Sequence, residues 1–197
     1  VPFASPAFMI VSCLNAFRHG CRVLVCICVC FFSVPACAST APSAVGKSSE
    51  RSIALYHTHT GERLKVVYYR DGRYREDALD KINHFLRDFR TGDKAEVDPT
   101  TLDIVHDVQQ GVGYKGEVHI VSAYRSEKTN EMLRQRSASS GVAKKSKHIE
   151  AKAIDFRLPG VDTRRIRDVA VNLGRGGVGY YRKSDFIHVD SGRVRYW

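Results

Sequence analysis

Residues 146–156 read Ser146-Lys147-His148-Ile149-Glu150-Ala151-Lys152-Ala153-Ile154-Asp155-Phe156, and they decide how the rest of the chain is read. Ala153 to Phe156 has the apolar character of a buried strand, yet an acid sits inside it. A carboxylate in such a strand is costly unless it is paired or binds a metal. A histidine stands seven residues earlier, at His148. A second apolar strand with the same chemistry follows later, Phe186-Ile187-His188-Val189-Asp190. His188 and Asp190 are two apart, so on a strand they point to the same side. His148, Asp155 and His188 together make two imidazoles and one carboxylate. That is the protein donor set of a catalytic zinc, with the fourth position left to water. A buried His–Asp hydrogen-bonded pair without metal is the plainer reading, and spacing alone leaves the two level.

Around these two strands the pattern is α+β. Residues 53–60 alternate, Gly61-Glu62 turns the chain, and 64–69 follow as a second strand, which predicts a β-hairpin. Leu79, Ile82, Phe85, Leu86 and Phe89 recur at helical spacing and predict a helix over 77–90. Asp98-Pro99 predicts a capped helix start, with Leu102, Val105, Val108 and Val112 facing inward. Residues 118–123 read as a strand, 126–136 as a helix and 137–147 as a flexible Ser/Gly/Lys loop. Asp162 should cap a helix that runs to Leu173 and stops at Gly174. Two short strands, 178–181 and 186–190, close the pattern. Without regular βαβ alternation, these elements predict a mainly antiparallel sheet with flanking helices. His57 and His59 are expected on the wet face of an edge hairpin, His84 and His106 on solvated helix faces. His119 is expected to be packed in its strand.

The chain has 197 residues, with 31 Lys and Arg against 21 Asp and Glu, a formal charge of +10. Its 43% hydrophobic content excludes a disordered or collagen-like chain. All six cysteines lie at or before Cys37, so they build no disulfide framework for the rest. Residues 1–38 contain no acid, Arg18 and Arg22 precede the apolar run 23–34, and Ala36-Cys37-Ala38 fits a cleavage site before Ser39. This predicts a signal peptide over 1–38, export, and a periplasmic location. A spanning helix needs about 20 apolar residues, so no stable membrane span is expected in the mature chain. Val34-Pro35-Ala36-Cys37 also reads as a poor lipoprotein box, which would place a lipid anchor on Cys37. Residues 39–50 have linker composition, leaving 51–197 as the folded domain. From Ser39 onward 29 basic residues against 21 acidic ones leave +8. That excess suits an anionic polymer as partner. With no aromatic interleaving and no groove-reading motif, nucleic acid is not expected.

Ser-x-His, an Asp seven residues after the His and a late strand His resemble the LAS zinc peptidases. That group holds the D-Ala-D-Ala carboxypeptidases, the D-Ala-D-Ala dipeptidases and the hedgehog zinc fold. Ser122-Ala123-Tyr124-Arg125-Ser126 resembles its strand-end Arg segment. The fuller resemblance is to the murein endopeptidase K branch. It takes in 55–62, 146–156, Gly176-Gly177-Val178-Gly179-Tyr180-Tyr181 and 186–197, and covers nearly all of 51–197. The resemblance implies a hedgehog/D-Ala-D-Ala-peptidase-like zinc fold with one Zn2+ on His148, Asp155 and His188. It implies hydrolysis of peptide cross-links in peptidoglycan, at D-Ala–mDAP and/or mDAP–mDAP bonds (mDAP, meso-diaminopimelate). Arg125 would stabilise the oxyanion or hold a substrate carboxylate, and Ser146 would orient the site. Two acids compete as general base. Asp185, three residues before the last ligand, follows the carboxypeptidase and dipeptidase pattern. Asp190, two residues after it, follows the endopeptidase K pattern, as base or as a partner of the ligand. A D,D-carboxypeptidase or dipeptidase acting on stem peptides is the alternative of the same chemistry. A non-catalytic wall-binding protein is the alternative of another class.

Overall fold

A computed structural model of the chain describes residues 50–136 and 142–197. The expected signal peptide, the linker up to residue 49 and residues 137–141 of the Ser/Gly/Lys loop lie outside the described residues. The chain runs β1 (Arg51–His57), β2 (Arg63–Arg70), β3 (Arg73–Tyr74), α1 (Glu76–Phe85), α2 (Pro99–Gly111), β4 (Val118–Ser122) and α3 (Glu127–Gln135). It continues β5 (Ala153–Arg157), α4 (Thr163–Leu173), β6 (Gly177–Tyr181), β7 (Phe186–Asp190) and β8 (Arg195–Tyr196). One sheet holds the strands in the order β3-β2-β1-β4-β5-β7-β6-β8. β1–β4 and β6–β8 pair parallel and every other neighbouring pair is antiparallel. The sheet is thus mainly antiparallel, as the pattern predicts. None of the helices among the described residues is long and apolar enough to cross a membrane.

The helix starts follow from their caps. Asp98 accepts from Thr100 N at 2.9 Å, and Pro99 opens α2 where its missing N–H costs nothing. Ser126 and Asp162 cap α3 and α4 in the same way, and Gly174, at φ +61°, ends α4. The core lies where α2 meets the sheet. Ile53, Leu55, Leu102, Val105, Val108, Ile120, Ile154, Phe156, Ile187 and Val189 are each no more than 2% exposed. Burying one such side chain contributes about 1.5–3 kcal/mol before entropy is counted. The strands that carry Asp155 and His188 therefore run through the buried core.

Two local expectations are corrected. The first helix stops at Phe85, not at residue 90, because Asp88 turns the chain back. Its N–H donates to Asp93 O at 2.9 Å. Its carboxylate accepts from Arg90 N at 3.0 Å, Ser126 N at 3.0 Å and Ser126 Oγ at 2.7 Å. Phe89, which kept the helical spacing, instead stacks on His59 at 4.5 Å. The second correction concerns His57. β1 lies between β2 and β4, so it is no edge, and His57 is only 1% exposed. Its Nδ1 accepts from His59 N at 3.2 Å and Thr60 N at 3.3 Å, which folds the turn after β1. Burial, with repulsion from His59, lowers its pKa to about 4. The true edges are β3 and β8, two residues each and too short to show as a pattern.

Candidate metal centre

β5 and β7 pair antiparallel in a register that sets Asp155 opposite His188 and Ala153 opposite Asp190. The two acid-and-histidine strands are therefore direct neighbours. His148 comes from the turn that enters β5, held by Ile149 N to Ser146 O at 3.1 Å and Ala151 N to His148 O at 3.2 Å. Arg125 N donates to His148 O at 3.2 Å and ties that turn to the end of β4. His148, Asp155 and His188 are 2%, 5% and 6% exposed. Their ligand atoms converge: His148 Nε2 lies 3.1 Å from His188 Nδ1 and 3.2 Å from Asp155 Oδ1, and the last two atoms are 2.8 Å apart.

The surrounding hydrogen bonds decide where the lone pairs point. Ala123 O can only accept, so His148 Nδ1 donates to it at 2.6 Å and leaves Nε2 with its lone pair inward. Asp190 Oδ2 accepts from His188 Nε2 at 2.9 Å, which leaves Nδ1 facing the cluster. Asp155 Oδ2 accepts from Arg125 Nη2 at 3.1 Å, so Oδ1 is the oxygen turned to the imidazoles. Three acceptor atoms thus meet within 3.2 Å, an arrangement that is repulsive unless a proton or a cation lies among them. Tetrahedral zinc with bonds of about 2.0–2.1 Å places its ligand atoms about 3.3 Å apart. The residues fit that ion in donor type, number, spacing and tautomer. The charges agree. Burial pushes the His148 imidazole to its neutral form. Burial opposes ionisation of Asp155, but the neighbouring imidazoles outweigh it and hold the carboxyl far below its usual range. Burial would lower His188, but its bonds to Asp155 and Asp190 raise it.

Asp190 is fully buried and serves five donors. They are His188 Nε2 at 2.9 Å, Arg195 Nη1 at 3.0 Å, Arg195 Nη2 at 2.7 Å, Gly192 N at 2.8 Å and Gly177 N at 3.3 Å. Gly177, across from Asp190 on β6, leaves the room: a Cβ there would overlap the Asp190 carboxylate and the Arg195 guanidinium. Asp185 stands elsewhere. It is exposed, ends the short turn after β6 at φ +52°, and accepts from Thr163 Oγ1 at the start of α4. The structure therefore gathers His148, Asp155, His188, Arg125 and Asp190, and leaves Asp185 outside the cluster.

The three ligand residues open into a cleft of about 470 Å³. Arg125 and Ser146 line it as the sequence suggested, and so do Lys145, Tyr181, Phe186, Arg195 and Trp197, for which the sequence assigned no role. Trp197 lies 5.2 Å from the His188 ring, and its Nε1 donates to Tyr181 OH at 3.1 Å. Gly179, across from His188, makes space for that indole. Only Arg195 left a readable signal, as a cation five residues beyond Asp190 past a Ser-Gly turn.

Known proteins point the same way. The family model described as peptidoglycan L,D-endopeptidase MepK, a peptidase M15 model, matches residues 45–197. The peptidoglycan L,D-endopeptidase MepK of Escherichia coli K12 is 42% identical over 148 residues, 75% of this chain and 80% of its own length. The probable peptidoglycan L,D-endopeptidase MepK of Haemophilus influenzae is 38% identical over 154 residues, 78% of this chain and 82% of its own. No solved structure gives a significant match. With a family model spanning the whole described fold, this chain belongs to the M15 peptidase family described as peptidoglycan L,D-endopeptidase MepK.

Proposed function

We propose that the chain is an exported, periplasmic, zinc-dependent L,D-endopeptidase that opens peptide cross-links in peptidoglycan. One observation carries the chemistry: three inward lone pairs from His148, Asp155 and His188 meet in a cleft of a peptidase-family fold. The L,D description narrows the bond. A mDAP–mDAP link joins an L-centre carbonyl to a D-centre amine, whereas D-Ala–mDAP joins two D centres.

Bound to this set, zinc supplies a water of pKa about 7 and a Lewis acid for the scissile carbonyl. The rest is done by side chains. Ala123 O and Asp190 hold the two imidazoles in the required tautomers. Arg125 steadies Asp155 at 3.1 Å and, lining the cleft, offers its guanidinium to the oxygen that gains charge as the amide is attacked. Ser146 Oγ accepts from His148 N at 3.3 Å and holds the ligand turn. Asp190 is buried with both oxygens engaged, so its part is to position His188. Asp185 is the acid of the pair with an exposed carboxylate, and its flanking residues Ser184 and Phe186 line the cleft. Taking the proton that the attacking water gives up and passing it to the leaving amine is assigned to it, with opening of the Thr163 bond as the required movement.

The test is digestion of purified cross-linked muropeptide dimers, read by mass. The mDAP–mDAP dimer is expected to fall to monomers, with the activity lost to a chelator and restored by zinc. Asp185→Ala is expected to lower kcat about 100-fold or more while zinc stays bound. A zinc-loaded protein that leaves the mDAP–mDAP dimer intact overturns the function. An Asp185→Ala enzyme with wild-type turnover overturns the proton-transfer role.

A further inference from the structure

Four cations line the cleft beside the ligand set: Arg125, Lys145, Lys147 and Arg195. Three of them are committed to carboxylates of this chain. Arg125 holds Asp155 at 3.1 Å. Lys147 Nζ meets both oxygens of Glu150, at 2.9 and 2.8 Å. Arg195 clamps Asp190 with two bonds, at 3.0 and 2.7 Å. Lys145 is the exception. It is exposed, and no carboxylate of the described residues, which hold all 21 acids of the chain, pairs with it.

Lys145 is not a side chain on a loose tether. Two residues before it, Ala143 O accepts from Asn130 Nδ2 of α3 at 3.1 Å, and Asn130 is 2% exposed. One residue after it, Ser146 is 9% exposed and its Oγ takes the N–H of His148. The backbone of Lys145 is thus pinned on both sides, three residues from a metal ligand. A cation fixed at a cleft wall and lacking an internal partner is available for a charge that arrives with the substrate.

We propose that Lys145 is a carboxylate subsite, and that it takes the free carboxylate borne on the carbon attached to the scissile amide nitrogen. The inference rests on the endopeptidase reading above and adds the substrate group that the cleft selects. In an mDAP–mDAP link the amine-side residue keeps that carboxylate, two bonds from the nitrogen that leaves. Pairing it with Lys145 fixes the amide against the ligand set. A substrate amidated at this position offers no charge to Lys145 and gains nothing from it.

The experiment crosses protein and substrate. Wild type, Lys145→Gln and Lys145→Arg are compared on two mDAP–mDAP dimers, one with the free carboxylate and one with it amidated. Zinc content is measured for each protein. On the free-carboxylate dimer, Lys145→Gln is expected to raise KM about five- to tenfold with kcat nearly unchanged and zinc retained. Lys145→Arg should restore most of the loss, because charge rather than shape is read. On the amidated dimer, wild type and Lys145→Gln should have the same KM. Equal effects of Lys145→Gln on both dimers, or none on either, overturn the subsite while leaving the endopeptidase reading intact. A wild-type protein that cuts neither dimer overturns that reading, and the subsite falls with it.

Discussion

Replacing Asp190 by Asn tests whether the metal set depends on the network behind it. The change keeps the shape and removes the charge. Asp190 offers two oxygens to five donors, and an amide has only one oxygen to offer. If the new NH2 takes the Oδ2 place, it meets the His188 Nε2–H and Arg195 Nη2, formerly at 2.9 and 2.7 Å. If it takes the Oδ1 place, it meets Gly192 N and Arg195 Nη1, formerly at 2.8 and 3.0 Å. Either orientation sets donor against donor, and neither keeps the carboxylate that makes His188 a better ligand. Loss of such a partner weakens metal binding about 10- to 100-fold, or about 1.4–2.7 kcal/mol. The fold should suffer less than a broken buried ion pair implies, because the Arg195 side chain is 32% exposed and water replaces part of its pairing. A cost of about 1–3 kcal/mol is expected, a few degrees in Tm. Zinc Kd by chelator competition, beside thermal melting with and without the chelator, separates the two effects. A folded Asp190→Asn protein that binds zinc within twofold of wild type refutes the reasoning.

Three further outcomes follow from other parts of the molecule. The His57 pKa of about 4 lies below the ordinary 6.5, so between these values the unfolded chain binds the extra proton. Stability should be full above about pH 6.5 and fall by up to about 3 kcal/mol as pH drops towards 4. Urea unfolding at pH 7 and 4.5 checks this. His57→Asn, whose Oδ1 can still accept from the turn, should show a flatter slope. Tyr68 is fully buried and donates to Asp103 at 3.0 Å, so Tyr68→Phe should cost about 1–2 kcal/mol by thermal melting; no change would refute a stabilising role for that bond. Gly179→Ala would bring a Cβ within 2.8 Å of the Trp197 indole. Trp197 is the sole tryptophan, so the displacement should appear as shifted emission with zinc content unchanged, and an unshifted spectrum would refute the contact.

The two site strands were legible because their signal is local. A charge inside a four- or five-residue apolar run contradicts its surroundings, and only pairing or a metal removes the contradiction. Asp98-Pro99 and Asp162 were legible for the same reason, since a cap is a property of three adjacent residues. What stayed hidden depends on residues far apart in the chain. Asp88 ends α1 early because Ser126, 38 residues away, needs its carboxylate. His57 left the wet face because β4, which begins beyond residue 117, pairs with β1 on its far side. No periodicity near either residue records the distant partner.

The same contrast separates the two acids near His188. By sequence they differ in offset, three before and two after, and Lys183-Ser184 reads as a turn context for Asp185. Strand geometry distinguishes them. Asp190 lies inside β7, so the pleat turns it to the same face as His188, where the β6 glycines leave room for its carboxylate. Asp190 is buried there with both oxygens engaged by five donors, which favours the positioning role proposed for it. Asp185 lies outside the strand, in the left-handed conformation that Asp tolerates in tight turns, and the strand pleat does not constrain it. On the roles proposed above, positioning and proton transfer separate by whether an acid falls within the sheet or at its end. The β5–β7 register that pairs Asp155 with His188 also pairs Ala153 with Asp190. A slip of β7 by one residue would turn His188 and Asp190 off the cluster together and leave Asp155 behind. On the proposed reading, the β5–β7 pairing brings Asp155, His188 and Asp190 together, and the turn before β5 adds His148.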